Sequence, residues 1–129
     1  MSKTAKLEID GKIYYRFSNG ATMQSENRLV EKADVSSFEN IKNNENIALG
    51  KDKNHVFKDG KILEFADPKT FKQIKERYWV DKNQVFFLKV YGNDCLIKNA
   101  DPLTFISLKH FWAKDKNYVY SAYDKLKDV

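Results

Sequence analysis

A chain of 129 residues, 42% hydrophobic and 14% aromatic, is long enough for one folded core and too apolar for disorder. Its net charge of +5 permits an acidic protein, a nucleic acid or an anionic surface as partner. Only Arg16, Arg28 and Arg77 among 23 basic residues carry the guanidinium fork that phosphate and base recognition favours, no apolar run has the length of a membrane span, and the lone Cys95 excludes an internal disulfide.

Residues 1–11 lack the apolar stretch of a secretory signal. The chain as given is therefore expected in the cytoplasm, or in the envelope if a leader has been removed. Ile13-Tyr14-Tyr15 reads as strand, and residues 18–28 as a polar loop or a long hairpin tip. Residues 40–46 read as a helix end and turn.

From Ala33 onward two marks recur. One is Ala33-Asp34-Val35-Ser36-Ser37-Phe38, repeated as Ala66-Asp67-Pro68-Lys69-Thr70-Phe71 and Ala100-Asp101-Pro102-Leu103-Thr104-Phe105. The other is Asp-Lys-Asn at 52–54, 81–83 and 115–117. Asp67 before Pro68 has the form of a helix start, with an acid cap and proline at the first helical position. Phe71 and Ile74 would share one face of a short amphipathic helix, with Lys69, Lys72 and Lys75 away from it. The Asp-Lys-Asn triplets read as three-residue hairpin loops, whose last residue, Asn54, Asn83 or Asn117, takes a positive φ.

That loop predicts a register: Val80 opposite Gln84, Trp79 opposite Val85, Tyr78 opposite Phe86. The other two hairpins give Ala113 opposite Val119, Trp112 opposite Tyr120, Gly50 opposite Val56, and Leu49 opposite Phe57. Aligning Ile13-Tyr14-Tyr15 with Val85-Phe86-Phe87 puts Gly11 at the place of Asn83. Residues 89–98 vary between units and form an insert where contacts could reside. The tail after Tyr120 is expected as a short helix.

The expected fold is thus α+β: about three β-hairpin plus short-helix repeats sharing one antiparallel sheet and one core. A single domain spans 1–129, with units near 9–49, 50–79 and 80–113 and a partial fourth over 114–129.

The recurrent marks resemble the DKNYY family of bacterial proteins, named for an Asp-Lys-Asn-x-Val-Tyr-Tyr turn. The matching stretches are 52–57, 81–87 and 115–120, with the Ala-Asp-Pro-x-Thr-Phe segments between them, over about residues 33–120. Phe replaces Tyr in two copies and Ser121 follows Tyr120. The resemblance implies a bacterial source and a repeat-built fold, and no functional residue.

The chemistry is sparse. His55 and His110 lie in no metal-ligand spacing, and Asp-Lys-Asn supplies too few oxygens for a calcium loop. Cys95 has no evident base or activating cation, and no phosphate loop occurs. No catalytic, cofactor or metal residue is assigned, and no cofactor is expected. The reading is a non-enzymatic protein-binding module, one form of it a toxin-neutralising immunity protein. A cell-envelope repeat module and a single-stranded nucleic-acid binder are the alternatives; the interleaved aromatics and lysines suggest the latter. The partner is expected to be another protein, with Tyr91 and Tyr123 as exposed contact candidates.

Overall fold

The computed structural model describes residues 2–19, 24–43, 46–89, 96–109, 112–121 and 124–128. These residues form fifteen short strands. The first sheet holds β1 (Ser2–Ile9), β2 (Lys12–Asn19) and β3 (Gln24–Leu29). The second holds β4 (Glu39–Asn43), β5 (Ala48–Lys51), β6 (Val56–Lys58) and β7 (Lys61–Ile62). The third holds β8 (Lys72–Lys75), β9 (Tyr78–Val80), β10 (Val85–Phe87) and β11 (Leu96–Ile97). The fourth holds β12 (Ile106–Ser107), β13 (Trp112–Lys114), β14 (Tyr118–Ser121) and β15 (Asp124–Asp128). Each sheet is an antiparallel meander in which chain neighbours pair.

This overturns the α+β expectation. Among the described residues there is no helix, and four separate sheets replace the single shared one. The expected helix at 67–75 is a turn at 68–70 followed by β8. A helix of two turns is marginal without strong packing. Here the Thr70 hydroxyl accepts a bond from a neighbouring loop, and such side-chain bonds compete with helix. Residues 39–43 likewise pair as β4. Within the tail, residues 124–128 pair with β14 instead of forming a helix.

The Asp-Lys-Asn triplets do turn hairpins, β5–β6, β9–β10 and β13–β14, but one residue out of the expected register. Val85 lies opposite Val80, Phe86 opposite Trp79 and Phe87 opposite Tyr78. The equivalent pairs are Gly50 with Phe57, and Ala113 with Tyr120. A one-residue slip exchanges which side chains share a face. Val80 and Val85 therefore sit on one face with Tyr78 and Phe87, and Trp79 and Phe86 on the other.

The chain divides into two compact units, Met1–Pro68 and Lys69–Val129. In the first unit, the first and second sheets enclose Ala5, Ile13, Tyr15, Val30, Phe38, Ala48 and Phe57. Phe38 lies against Gly50, where an added Cβ would come within 2.7 Å of the ring. In the second unit, Tyr78, Val80, Val85 and Phe87 of the third sheet pack on Phe105, Ala113 and Tyr120 of the fourth. Phe105 sits 5.1 Å from the Tyr78 ring and 5.5 Å from that of Tyr120.

Candidate functional site

The recurrent acids carry the turns. Asp52, Asp81 and Asp115 are buried, at 3%, 4% and 5% exposure. In each, Oδ1 accepts two backbone N–H groups: Asn54 and His55 on Asp52, Asn83 and Gln84 on Asp81, Asn117 and Tyr118 on Asp115, all at 2.7–2.8 Å. The Asp81 N–H donates to Gln84 O at 3.0 Å, and Asp52 and Asp115 repeat this with His55 O and Tyr118 O. Each loop is closed by its own carboxylate, an Asx turn. Asn54, Asn83 and Asn117 consequently have no positive φ, contrary to expectation, and the predicted register fails with that requirement. Gly11, at φ +75, is therefore no stand-in for Asn83.

The other carboxylate oxygen ties the two marks together. Asp52 Oδ2 accepts the Asp34 N–H, and Asp115 Oδ2 accepts the Asp101 N–H, both at 2.8 Å. The hydroxyl three residues after the second acid completes a clasp. Ser37, Thr70 and Thr104 accept the N–H of Lys53, Lys82 and Lys116 at 3.0, 2.9 and 3.0 Å. Ser37 donates in turn to the Asp34 carboxylate, and Thr104 donates to Asp101 Oδ2 at 2.6 Å. Tyr120 adds a buried bond from its hydroxyl to Asp115 Oδ2 at 2.8 Å. Asp52 and Asp115 thus accept from backbone N–H groups on both carboxylate oxygens, and hydroxyls reach Asp34, Asp101 and Asp115. Nothing in the structure explains the choice of lysine and asparagine beside them.

Positive φ occurs instead at a position the sequence reading passed over. Lys32, Phe65 and Asn99, at φ +65, +67 and +65, each precede the alanine of the Ala-Asp mark. The Ala66 and Ala100 N–H groups bond back to Leu63 O and Ile97 O, so Phe65 and Asn99 occupy the third place of a β-turn. Two further turns, Asp10-Gly11 and Asp59-Gly60, are two-residue hairpin loops with positive φ at both residues. Their Asp-Gly dipeptides were a readable signal.

Other groups offer little chemistry. His55 is half-buried, with its ring 6.0 Å from Phe57 and a buried Nδ1 that has no hydrogen-bond partner. Gln84, at the same repeat position, has a buried Oε1 in the same condition. Among the described residues, no group of three or more His, Cys, Asp or Glu could hold a metal. Cys95, Tyr91, His110 and Tyr123 lie outside the described residues, as does most of the 89–98 insert. An open groove of about 460 Å³ in the first unit is lined by charges of both signs, Arg28, Glu31, Lys32 and Glu64, beside Leu29 and Ile62.

The distinctive surface is one face of the fourth sheet. Ile106 lies opposite Lys114, and Lys114 opposite Val119. Leu108 donates its N–H to Trp112 O at 2.6 Å, and Trp112 lies opposite Ser121. Side chains alternate along a strand, so these residues share a face while Ala113 and Tyr120 point to the core. Ile106, Leu108 and Trp112 are 46%, 40% and 42% exposed, whereas Tyr78, Val80, Val85 and Phe87 on the equivalent face of the third sheet are buried. A contiguous apolar strip of this kind marks an interaction site more often than scattered exposed side chains do.

No helix among the described residues is long and apolar enough to cross a membrane. Comparison with curated proteins and with solved structures finds no match. The sequence model of the DKNYY family does match, over residues 2–90, a span that takes in two of the Asp-Lys-Asn clasps and the first sheet. On that match the chain is a member of the DKNYY family.

Proposed function

We propose that this chain is a non-enzymatic protein-binding module that docks through the open face of its fourth sheet. The observation that carries this reading is the strip Ile106, Leu108 and Trp112, with Lys114 opposite Ile106. Interface centres are enriched in tryptophan and surrounded by polar residues. One form of the proposal is a toxin-neutralising immunity protein, for which the net charge of +5 would suit an acidic toxin surface. Another is a module of the cell envelope. Single-stranded nucleic acid is the weaker reading, because Tyr78, Phe86 and Tyr120 are buried rather than presented as stacking rings.

The test is affinity capture from the producing cells with the wild-type chain and with Trp112→Asp. A protein recovered by the first and lost with the second is the expected result. Equal recovery with both chains would reject this face as the docking surface.

A further inference from the structure

The partner of the open face can be narrowed. This step rests on the binding role proposed above and names an occupant for the same surface. In the second unit, the face of the third sheet that carries Tyr78, Val80, Val85 and Phe87 is covered by the next sheet, through Phe105, Ala113 and Tyr120. The fourth sheet presents the same register positions, Trp112, Lys114, Val119 and Ser121, with Ile106 and Leu108 on the neighbouring strand. The surface therefore continues an interface that this chain already makes with itself.

A second copy cannot extend the series in the same sense. The covering residues Phe105, Ala113 and Tyr120 are already buried, as are Phe38 and Phe57 of the second sheet. What a second copy does have free is its own open face. We infer that two copies of this chain pair face to face through Ile106, Leu108, Trp112 and Lys114 about a two-fold axis.

The rows of the sheet favour one direction for this pairing. Ile106, Lys114 and Val119 form one row, and Leu108, Trp112 and Ser121 the next. A two-fold axis across the strands lays the first row of one copy on the second row of the other. Each Lys114 then meets the Trp112 ring of its partner, a cation–π contact made twice by symmetry. Lysine on lysine is avoided, and the aliphatic stem of Lys114 adds apolar area. The contact is isologous and closes, so the assembly stops at two.

Sedimentation of the full chain from about 1 µM to about 300 µM tests this. The expected result is a concentration-dependent monomer–dimer equilibrium that high salt leaves intact or tightens. Trp112→Asp should weaken it roughly tenfold or more. Lys114→Glu should weaken it by a smaller factor, since the cation is lost. Leu103→Asp, on the exposed turn before β12 and outside both rows, should leave it unchanged. Circular dichroism on each variant separates loss of pairing from loss of fold.

A chain that stays monomeric throughout this range overturns the inference, and so does a dimer indifferent to Trp112→Asp. A Leu103→Asp effect equal to that of Trp112→Asp also rejects the two-row geometry. If the chain is monomeric and Trp112 fluorescence is instead quenched by a thymidine oligonucleotide in a salt-sensitive manner, the face takes nucleic acid and both readings fall. A monomeric chain that still captures a different protein through Trp112 overturns only the self-pairing and leaves the binding role standing.

Discussion

The carboxylate of Asp115 gathers four donors: the N–H groups of Asn117, Tyr118 and Asp101 and the hydroxyl of Tyr120. Burial alone would raise its pKa, but the backbone donors and the tyrosine outweigh burial and hold it below the ordinary carboxylate value. A pKa lower in the folded state stabilises the fold above the unfolded value of about 4. That contribution is lost as pH falls through the lower folded value. Asp115→Asn should therefore flatten the acid limb of the stability–pH curve below about pH 4, and lower stability at neutrality, where an amide cannot accept on both atoms. Tyr120 is shifted upward, first by burial and then by its bond to Asp115. Its contribution is intact below the ordinary phenol value of about 10 and fades as pH rises beyond it. Tyr120→Phe should flatten that alkaline limb. Denaturant titrations from acid to alkaline pH check both, and unchanged slopes would refute the pairing. Phe65 gives a prediction of opposite sign. It holds φ +67 while 75% exposed, where Asn99 stands in the next repeat. Asparagine tolerates that region at less cost, so Phe65→Asn should raise stability by about 1 kcal/mol in thermal or denaturant unfolding.

At the scale of the element, the repeat was legible because two acids and a hydroxyl must recur wherever the clasp is built. Its meaning was not, because a carboxylate that accepts from the second and third following residues replaces the left-handed residue that a three-residue loop would need. The register slipped for that reason alone. Helix was read into Phe71 and Ile74 because their spacing suits a helical face. A turn running into a strand uses the same spacing, with Phe71 buried under Trp79 at 5.0 Å and Ile74 half-buried on β8. The open face of the fourth sheet was invisible because the misplaced register put Trp112 opposite Tyr120, which is a core residue. Asp10-Gly11 and Asp59-Gly60, by contrast, were plain hairpin signals left unused. The clasp itself is testable through Thr104, which accepts from Lys116 N and donates to Asp101. Thr104→Val keeps the shape and removes both bonds, at an expected cost of about 1 kcal/mol. Thr104→Ser should stay near wild type. Hydrogen exchange at the Lys116 amide should quicken in the valine variant and not in the serine one.

Each unit is a pair of packed sheets whose stability is a sum of neighbour contacts, and the two units fill theirs with different chemistry. The third and fourth sheets meet through aromatic rings. The first and second add a buried charge cluster. Lys3, 6% exposed, donates to Asp59 Oδ2 at 3.2 Å and to Asn46 O at 3.0 Å. Lys58, 2% exposed, has its ammonium 3.7 Å from the same oxygen. Asp59 in turn accepts the Ala48 N–H on Oδ1 at 2.9 Å and donates its own N–H to Ala48 O at 2.8 Å. One aspartate therefore anchors a hairpin turn, a strand end and two cations drawn from different sheets. Removing one member of a buried ion cluster costs more than the cluster contributes, because it leaves the opposite charge buried. Asp59→Asn removes the carboxylate that both ammonium groups approach, and should cost about 3 kcal/mol. Adding Lys3→Met should recover part of that loss, since one of the two cations is then replaced by an apolar side chain of similar length. The double-mutant cycle in denaturant decides the point. A double variant no more stable than Asp59→Asn would mean that the aspartate acts through its turn geometry, with the charge cluster contributing nothing to the contact between the first two sheets.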